Sequence, residues 1–220
     1  MKKIVNFVLI AAMAVFVASC GGNKQTGENK DQQDSTKKVN QTVENLKAAL
    51  QGETTASAKY AAFAAKATEE KLPQIASLFN ATSKSESIHA ANHKKVLEEM
   101  GETVNVTPET FEVKTTKENL EAAYAGEKHE VEAMYQGFID QAKVDKAEKA
   151  IKSFSWAFET EKKHMTLYKA ASDALAANKV KTLASDYLVC PKCGFTYTTK
   201  DVEDECELCS TGKDKFIAIK

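Results

Sequence analysis

Glu86-Ser87-Ile88-His89 and Glu161-Lys162-Lys163-His164 decide the fold of this chain. The two stretches stand 75 residues apart, and each follows a Gly-Glu step, Gly52-Glu53 and Gly126-Glu127, which stand 74 apart. One helical hairpin has been written twice. Each copy offers a carboxylate from its first helix and a carboxylate plus an imidazole from its second. Four-helix bundles use this donor set to hold two metal ions in their core. Residues three apart on a helix share a face, so both side chains of a Glu-x-x-His reach one ion. Each half supplies a terminal carboxylate (Glu53, Glu127), a bridging carboxylate (Glu86, Glu161) and an imidazole (His89, His164). With 22 glutamates in 220 residues, a single Glu-x-x-His is ordinary. Two in register with two Gly-Glu steps are not. Oxygen-rich ligation with two nitrogens suits iron or manganese better than zinc or copper.

Four long helices are expected between Val39 and about Lys179. The first, about residues 40 to 71, carries Leu46, Ala49, Leu50, Glu53, Ala56, Tyr60 and Phe63 on one stripe. Pro73 suits the first turn of the second, whose stripe is Ile75, Leu78, Phe79, Thr82, Glu86, His89, His93 and Val96 before Gly101 stops it. A crossing loop holds Pro108. The third stripe is Leu120, Ala123, Glu127, Glu130, Met134, Phe138 and Ile139, and a break near Val144-Asp145 leads to the fourth, Ile151, Phe154, Phe158, Glu161, His164, Tyr168 and Leu175. Carboxylates on apolar stripes are the anomaly, because a buried charge needs a compensating partner and a cation is one. His93 and His129 lack the Glu-x-x-His pattern and read as surface or rim residues.

The ends of the chain differ from its middle. Lys2-Lys3 precedes an apolar run from Ile4 to Ala18, too short to span a bilayer but suited to a signal peptide over residues 1–19. The run closes on Val17-Ala18-Ser19-Cys20, which is similar to a bacterial lipobox, so Cys20 is expected to be lipidated and to anchor the protein at the cell envelope. The alternative is an ordinary signal cleavage with Cys20 incidental. Residues 20–38 are polar and read as a flexible tether. At the far end, Cys190-Pro-Lys-Cys193 and Cys206-Glu-Leu-Cys209 form a four-thiolate signal for iron or zinc over a domain at 186–220, with Phe195, Tyr197 and Phe216 as its small core. Two disulfides are the competing reading, since exported proteins meet oxidising surroundings. Gly194 after the first pair favours the metal, as it allows a tight turn of amides around a bound sulfur. A formal net charge of −1, and no basic patch interleaved with aromatics, give nucleic acid nothing to bind.

From about Val39 to Lys220, more than four-fifths of its length, the chain resembles rubrerythrin: a ferritin-like diiron four-helix bundle over 39–180 followed by a small β-rich rubredoxin-like iron domain. The telling residue is Glu130 in Glu127-Lys-His-Glu130, because rubrerythrins add a second Glu three residues after the third-helix ligand. The resemblance implies a peroxidase that reduces hydrogen peroxide to water at two iron ions. Electrons would come from an unidentified donor through one iron on Cys190, Cys193, Cys206 and Cys209, zinc being the alternative occupant. It implies that His89 binds one iron in the reduced state and Glu130 replaces it in the oxidised state. It adds Tyr60 and Tyr135 as phenols that hydrogen-bond ligand carboxylates. It also implies a head-to-tail homodimer in which the cysteine domain lies against the partner's diiron site.

The chain departs from the family in three places. Glu207 follows Cys206 where Pro is usual and should lower the potential of that site. His129 stands where an aromatic is common, and the lipidated leader is unusual. A ferroxidase or iron-handling protein, and a metal-binding lipoprotein without turnover, are the alternative functions.

Overall fold

The computed structural model of the protein describes residues 40–220. The expected signal peptide, Cys20 and tether lie outside the described residues. The bundle is built from α1 (Gln41–Glu69), α2 (Pro73–Glu99), α3 (Thr116–His129), α4 (Tyr135–Val144) and α5 (Glu148–Ala176). Pro73 opens α2 as expected, and Thr115 and Glu118 close a reciprocal capping box on α3. Lys71, Gly101, Lys146 and Asn178 end the long helices in the left-handed region, at φ 59°, 87°, 56° and 56°. In each case the next amide reaches a carbonyl five residues back, as in Leu72 to Ala67 and Glu102 to Leu97. Gly101 is the stop that the sequence announces; the other three depend on residues that tolerate this backbone less readily.

The third expected helix is continuous in path but not in type. Glu130–Met134 forms a π turn between α3 and α4. A π turn takes in one residue more than an α turn. Eight residues therefore separate Glu127 from Tyr135 over two turns, and both are buried on one face. The unbroken stripe drawn through Met134 and Phe138 is corrected accordingly: both are half-buried, and Tyr135, Ile139 and Ala142 take the core positions.

Two apolar cores fill the bundle. One gathers Tyr60, Phe63, Phe79, Leu120 and Tyr168, the other Leu46, Leu50, Leu97, Tyr135 and Phe154. Along every helix the residues of the carboxylate and imidazole motif fall between the two, so the polar layer is sealed at both ends. After α5, β1 (Tyr187–Val189) pairs antiparallel with β2 (Thr196–Thr198) and with β3 (Ile217–Ile219), Leu188 standing opposite Tyr197 and Ala218. Tyr187 and Val189 of β1 are buried in the first core, so the tail completes the bundle's packing. Among the described residues no helix is long and apolar enough to cross a membrane.

Candidate metal centres

Six side chains meet between the two cores. Glu53, Glu86, His89 and Glu161 present ligand atoms within 4.8 Å of one another, and so do Glu86, Glu127, Glu161 and His164. Glu86 and Glu161 belong to both sets, as bridging ligands must. His89 Nδ1 lies 3.0 Å from Glu86 and 2.9 Å from Glu161. His164 Nδ1 lies 3.1 Å and 2.8 Å from the same two carboxylates. Glu53 stands 3.8 Å from His89, and Glu127 3.9 Å from His164. The near-equality of the two halves is the twofold that the repeated hairpin predicts.

The six are at most 1 % exposed, and eight of their nitrogen and oxygen atoms, both oxygens of Glu86 and of Glu161 included, have no hydrogen-bond partner. Orphaned polar atoms are rare in protein interiors, and their facing one another calls for a cation. The charges agree. Burial and the neighbouring carboxylates push Glu53 and Glu127 well above the usual carboxylate range. Burial alone would do the same to Glu161 and lower the two imidazoles. The mutual attraction of Glu161, Glu86 and the imidazoles wins, so Glu161 is lowered and His89 and His164 are raised. Positive charge at the centre of the cluster would relieve all of these groups together.

The outer nitrogens are fixed as well. His89 Nε2 is 3.1 Å from the carbonyl of Cys193, to which it donates. His164 Nε2 lies 2.9 Å from Thr196 Oγ1, whose own proton goes to the Gly194 carbonyl. Both imidazoles therefore carry hydrogen on Nε2 and turn Nδ1 to the cluster, the nitrogen that would give up its proton to a metal. Tyr60 donates to Glu127 at 2.7 Å, and Tyr135 donates to Glu53. Glu130, at the head of the π turn, is half-buried and outside both sets, although after burial the charges of Glu127, Glu161 and Glu86 raise its pKa.

In the tail, Cys190, Cys193, Cys206 and Cys209 are free thiols whose sulfurs also lie within 4.8 Å of one another. Cys190 pairs with Cys209 and Cys193 with Cys206, each at 3.5 Å. Tetrahedral bonds of roughly 2.3 Å place sulfurs roughly 3.8 Å apart, so the cage is of metal size. Contacts with Cys190 and Cys193 pull Cys206 far below the ordinary thiol range, while Cys190 and Cys206 push Cys193 up. Gly194 and Ser210, each after the second cysteine of its pair, take φ 85° and 54°, and their amides close turns onto Cys190 and Cys206. The sequence signalled the first turn and missed the second.

The tail sits on the bundle. Ser85 donates to the Gly194 carbonyl at 2.6 Å and Asn92 to that of Lys192 at 2.9 Å. The contact with the diiron side of the bundle, expected across two subunits, is made here within one chain. His93 needs correction: it is fully buried, between Tyr135 and Ser153, because its place one turn beyond His89 on the same stripe carries it inward. His129 is exposed. Ser85 and Thr196 had no signal in the sequence.

A family model described as rubrerythrin matches residues 44–172. Rubrerythrin-2 of Clostridium acetobutylicum is 35% identical over 179 residues, covering 81% of this chain and 96% of that protein. Nigerythrin of Nitratidesulfovibrio vulgaris is 35% identical over 189 residues, covering 84% of this chain and 90% of its own. A structure of the fully reduced, all-ferrous state of nigerythrin superposes with a TM-score of 0.74 at 34% identity, covering 88% of this chain and 97% of that one.

Proposed function

The chain belongs to the rubrerythrin family, and on that premise we propose that it reduces hydrogen peroxide to water, H2O2 + 2 e− + 2 H+ → 2 H2O. The residues fit the family's two iron ions in the bundle and single iron in the cysteine cage. The observation that carries the reading is the convergence of eight orphaned, buried ligand atoms on one space, one imidazole of which is hydrogen-bonded to the cysteine cage. When bound, iron supplies the redox chemistry: two electrons held in the bundle and replenished through the tail.

The chain's own residues do the rest. Glu86 and Glu161 hold the two positions together, Glu53 and Glu127 cap them, and Tyr60 and Tyr135 fix those caps. The two apolar cores keep bulk water out. Glu130, outside both sets while His89 is inside, is the carboxylate proposed to exchange with it. A charged carboxylate suits the oxidised ion and a neutral imidazole the reduced one. The His89-to-Cys193 hydrogen bond joins a residue of each ligand set directly and is the proposed route of electrons.

The assembly we propose is a head-to-tail homodimer, since exchange of tails between two copies would preserve the contacts made here. Sedimentation would show one species of twice the chain mass. The electron donor is unidentified, and the lipobox-like Cys20 supports a lipid anchor at the cell envelope, checked by labelling with a radioactive fatty acid. The deciding experiment reduces the iron-loaded protein without oxygen and mixes it with peroxide. Oxidation of the bundle with one peroxide consumed per two electrons is expected. Slow reaction with peroxide and fast reaction with oxygen would point to a ferroxidase.

A further inference from the structure

Two protons must enter for every peroxide reduced, yet the converging side chains are sealed from solvent. A line of four residues crosses the seal. Ser153 of α5 lines a surface cleft of about 210 Å³ between α2 and α5, whose walls carry Lys95, Glu99, Lys149 and Lys152 and so admit water. Ser153 Oγ is 2.8 Å from His93 Nδ1, His93 Nε2 is 3.2 Å from the Tyr135 hydroxyl, and Tyr135 donates to Glu53 Oε1. His93 and Tyr135 are fully buried, and Ser153 is 4 % exposed.

The direction of each bond follows from the inner end. Tyr135 donates to Glu53 in the structure, and with a cation bound Glu53 would be ionised and could only accept. The phenol oxygen is left to accept from His93 Nε2–H. A neutral imidazole with hydrogen on Nε2 has a bare Nδ1, which accepts from Ser153. Burial, aided by His89, lowers the His93 pKa to about 3, so the ring is neutral at physiological pH. All three hydrogen bonds point inward.

We infer that Ser153, His93 and Tyr135 form a proton relay from the α2–α5 cleft to Glu53. The inference rests on the peroxidase reading for its purpose and on the hydrogen bonds for its existence. In one passage water in the cleft gives a proton to Ser153 Oγ, whose own proton moves to His93 Nδ1. The Nε2 proton moves to Tyr135, and the Tyr135 proton moves to Glu53 Oε1. From Glu53 the proton would pass to peroxide oxygen, and iron, when bound, would supply the two electrons that cleave the O–O bond. A histidine that only filled space beside Phe154 would not need a water-lined cleft beyond its outer partner.

Two measurements test this. In the full chain loaded with diamagnetic zinc, nitrogen-15 spectra of the imidazoles should show His93 protonated on Nε2 and bare on Nδ1; the opposite tautomer overturns the relay. In the iron-loaded, reduced chain, His93→Gln keeps a donor towards Tyr135 but cannot exchange protons. It should retain the iron content of the unaltered chain and react with peroxide more slowly by roughly a hundredfold. An unchanged rate at full iron content overturns the proposal. Should His93→Gln lose iron, Ser153→Ala decides, being remote from the metal ligands: slowed oxidation supports the relay and an unchanged rate removes it. If the unaltered chain fails to react with peroxide, the peroxidase reading falls, and the spectrum still decides the relay's geometry.

Discussion

A β-carbon at Gly194 would lie 2.5 Å from His89 Nε2, and the residue already needs a φ of 85°. Gly194→Ala therefore strains the first cysteine turn and pushes the tail from the bundle. We expect a loss of about 1–3 kcal/mol in unfolding free energy, with iron in the bundle retained and its re-reduction slowed, checked by denaturant titration and reductive kinetics. Tyr60→Phe acts differently. It leaves a buried Glu127 oxygen without its donor, which costs about 1–3 kcal/mol and should appear as weaker iron retention in a chelator competition. The aromatic ring remains, so the packing against Phe63, Phe79 and Tyr168 is kept. Residue-scale legibility was uneven for a physical reason. The charged ligands stand out from an apolar stripe, whereas His93, on the stripe itself, is polar enough to pass for a rim residue and is buried because Tyr135 and Ser153 satisfy both its nitrogens.

At the scale of elements, the π turn sets which side chains of the third helix face the centre. Deleting exposed Glu132 leaves seven residues from Glu127 to Tyr135, two turns of ordinary α-helix. Both residues should keep their partners while Glu130 loses the widened turn. The expected outcome is an unchanged iron content, an unfolding temperature no lower than before, and slower reaction with peroxide. The helices themselves were legible, because apolar periodicity, Pro73 and Gly101 are local signals. The π turn was not. Its extra residue changes the register by only part of a turn, and a stripe read through Met134 and Phe138 is as apolar as the one through Tyr135 and Ile139.

For the whole molecule, two centres share one structure. Cys206→Ser should empty the tail while leaving two irons in the bundle. The reduced protein would still oxidise once with peroxide, and repeated turnover would stop, which separates single-turnover from steady-state kinetics. Removing all metal should lower the unfolding temperature, since ligand at a hundred times its dissociation constant stabilises by about 2.7 kcal/mol and the bundle's carboxylates would be left facing one another. Calorimetry before and after chelation measures it. The sequence alone determined the helices, the doubled ligand motif and the cysteine cage, because each is written in short, fixed spacings that elementary geometry converts into shared faces. Tertiary contact alone settled that the tail caps the imidazoles and that His93 links a surface cleft to Glu53. Those depend on contacts between residues as much as 109 positions apart, and no local pattern in the chain encodes which distant groups will meet.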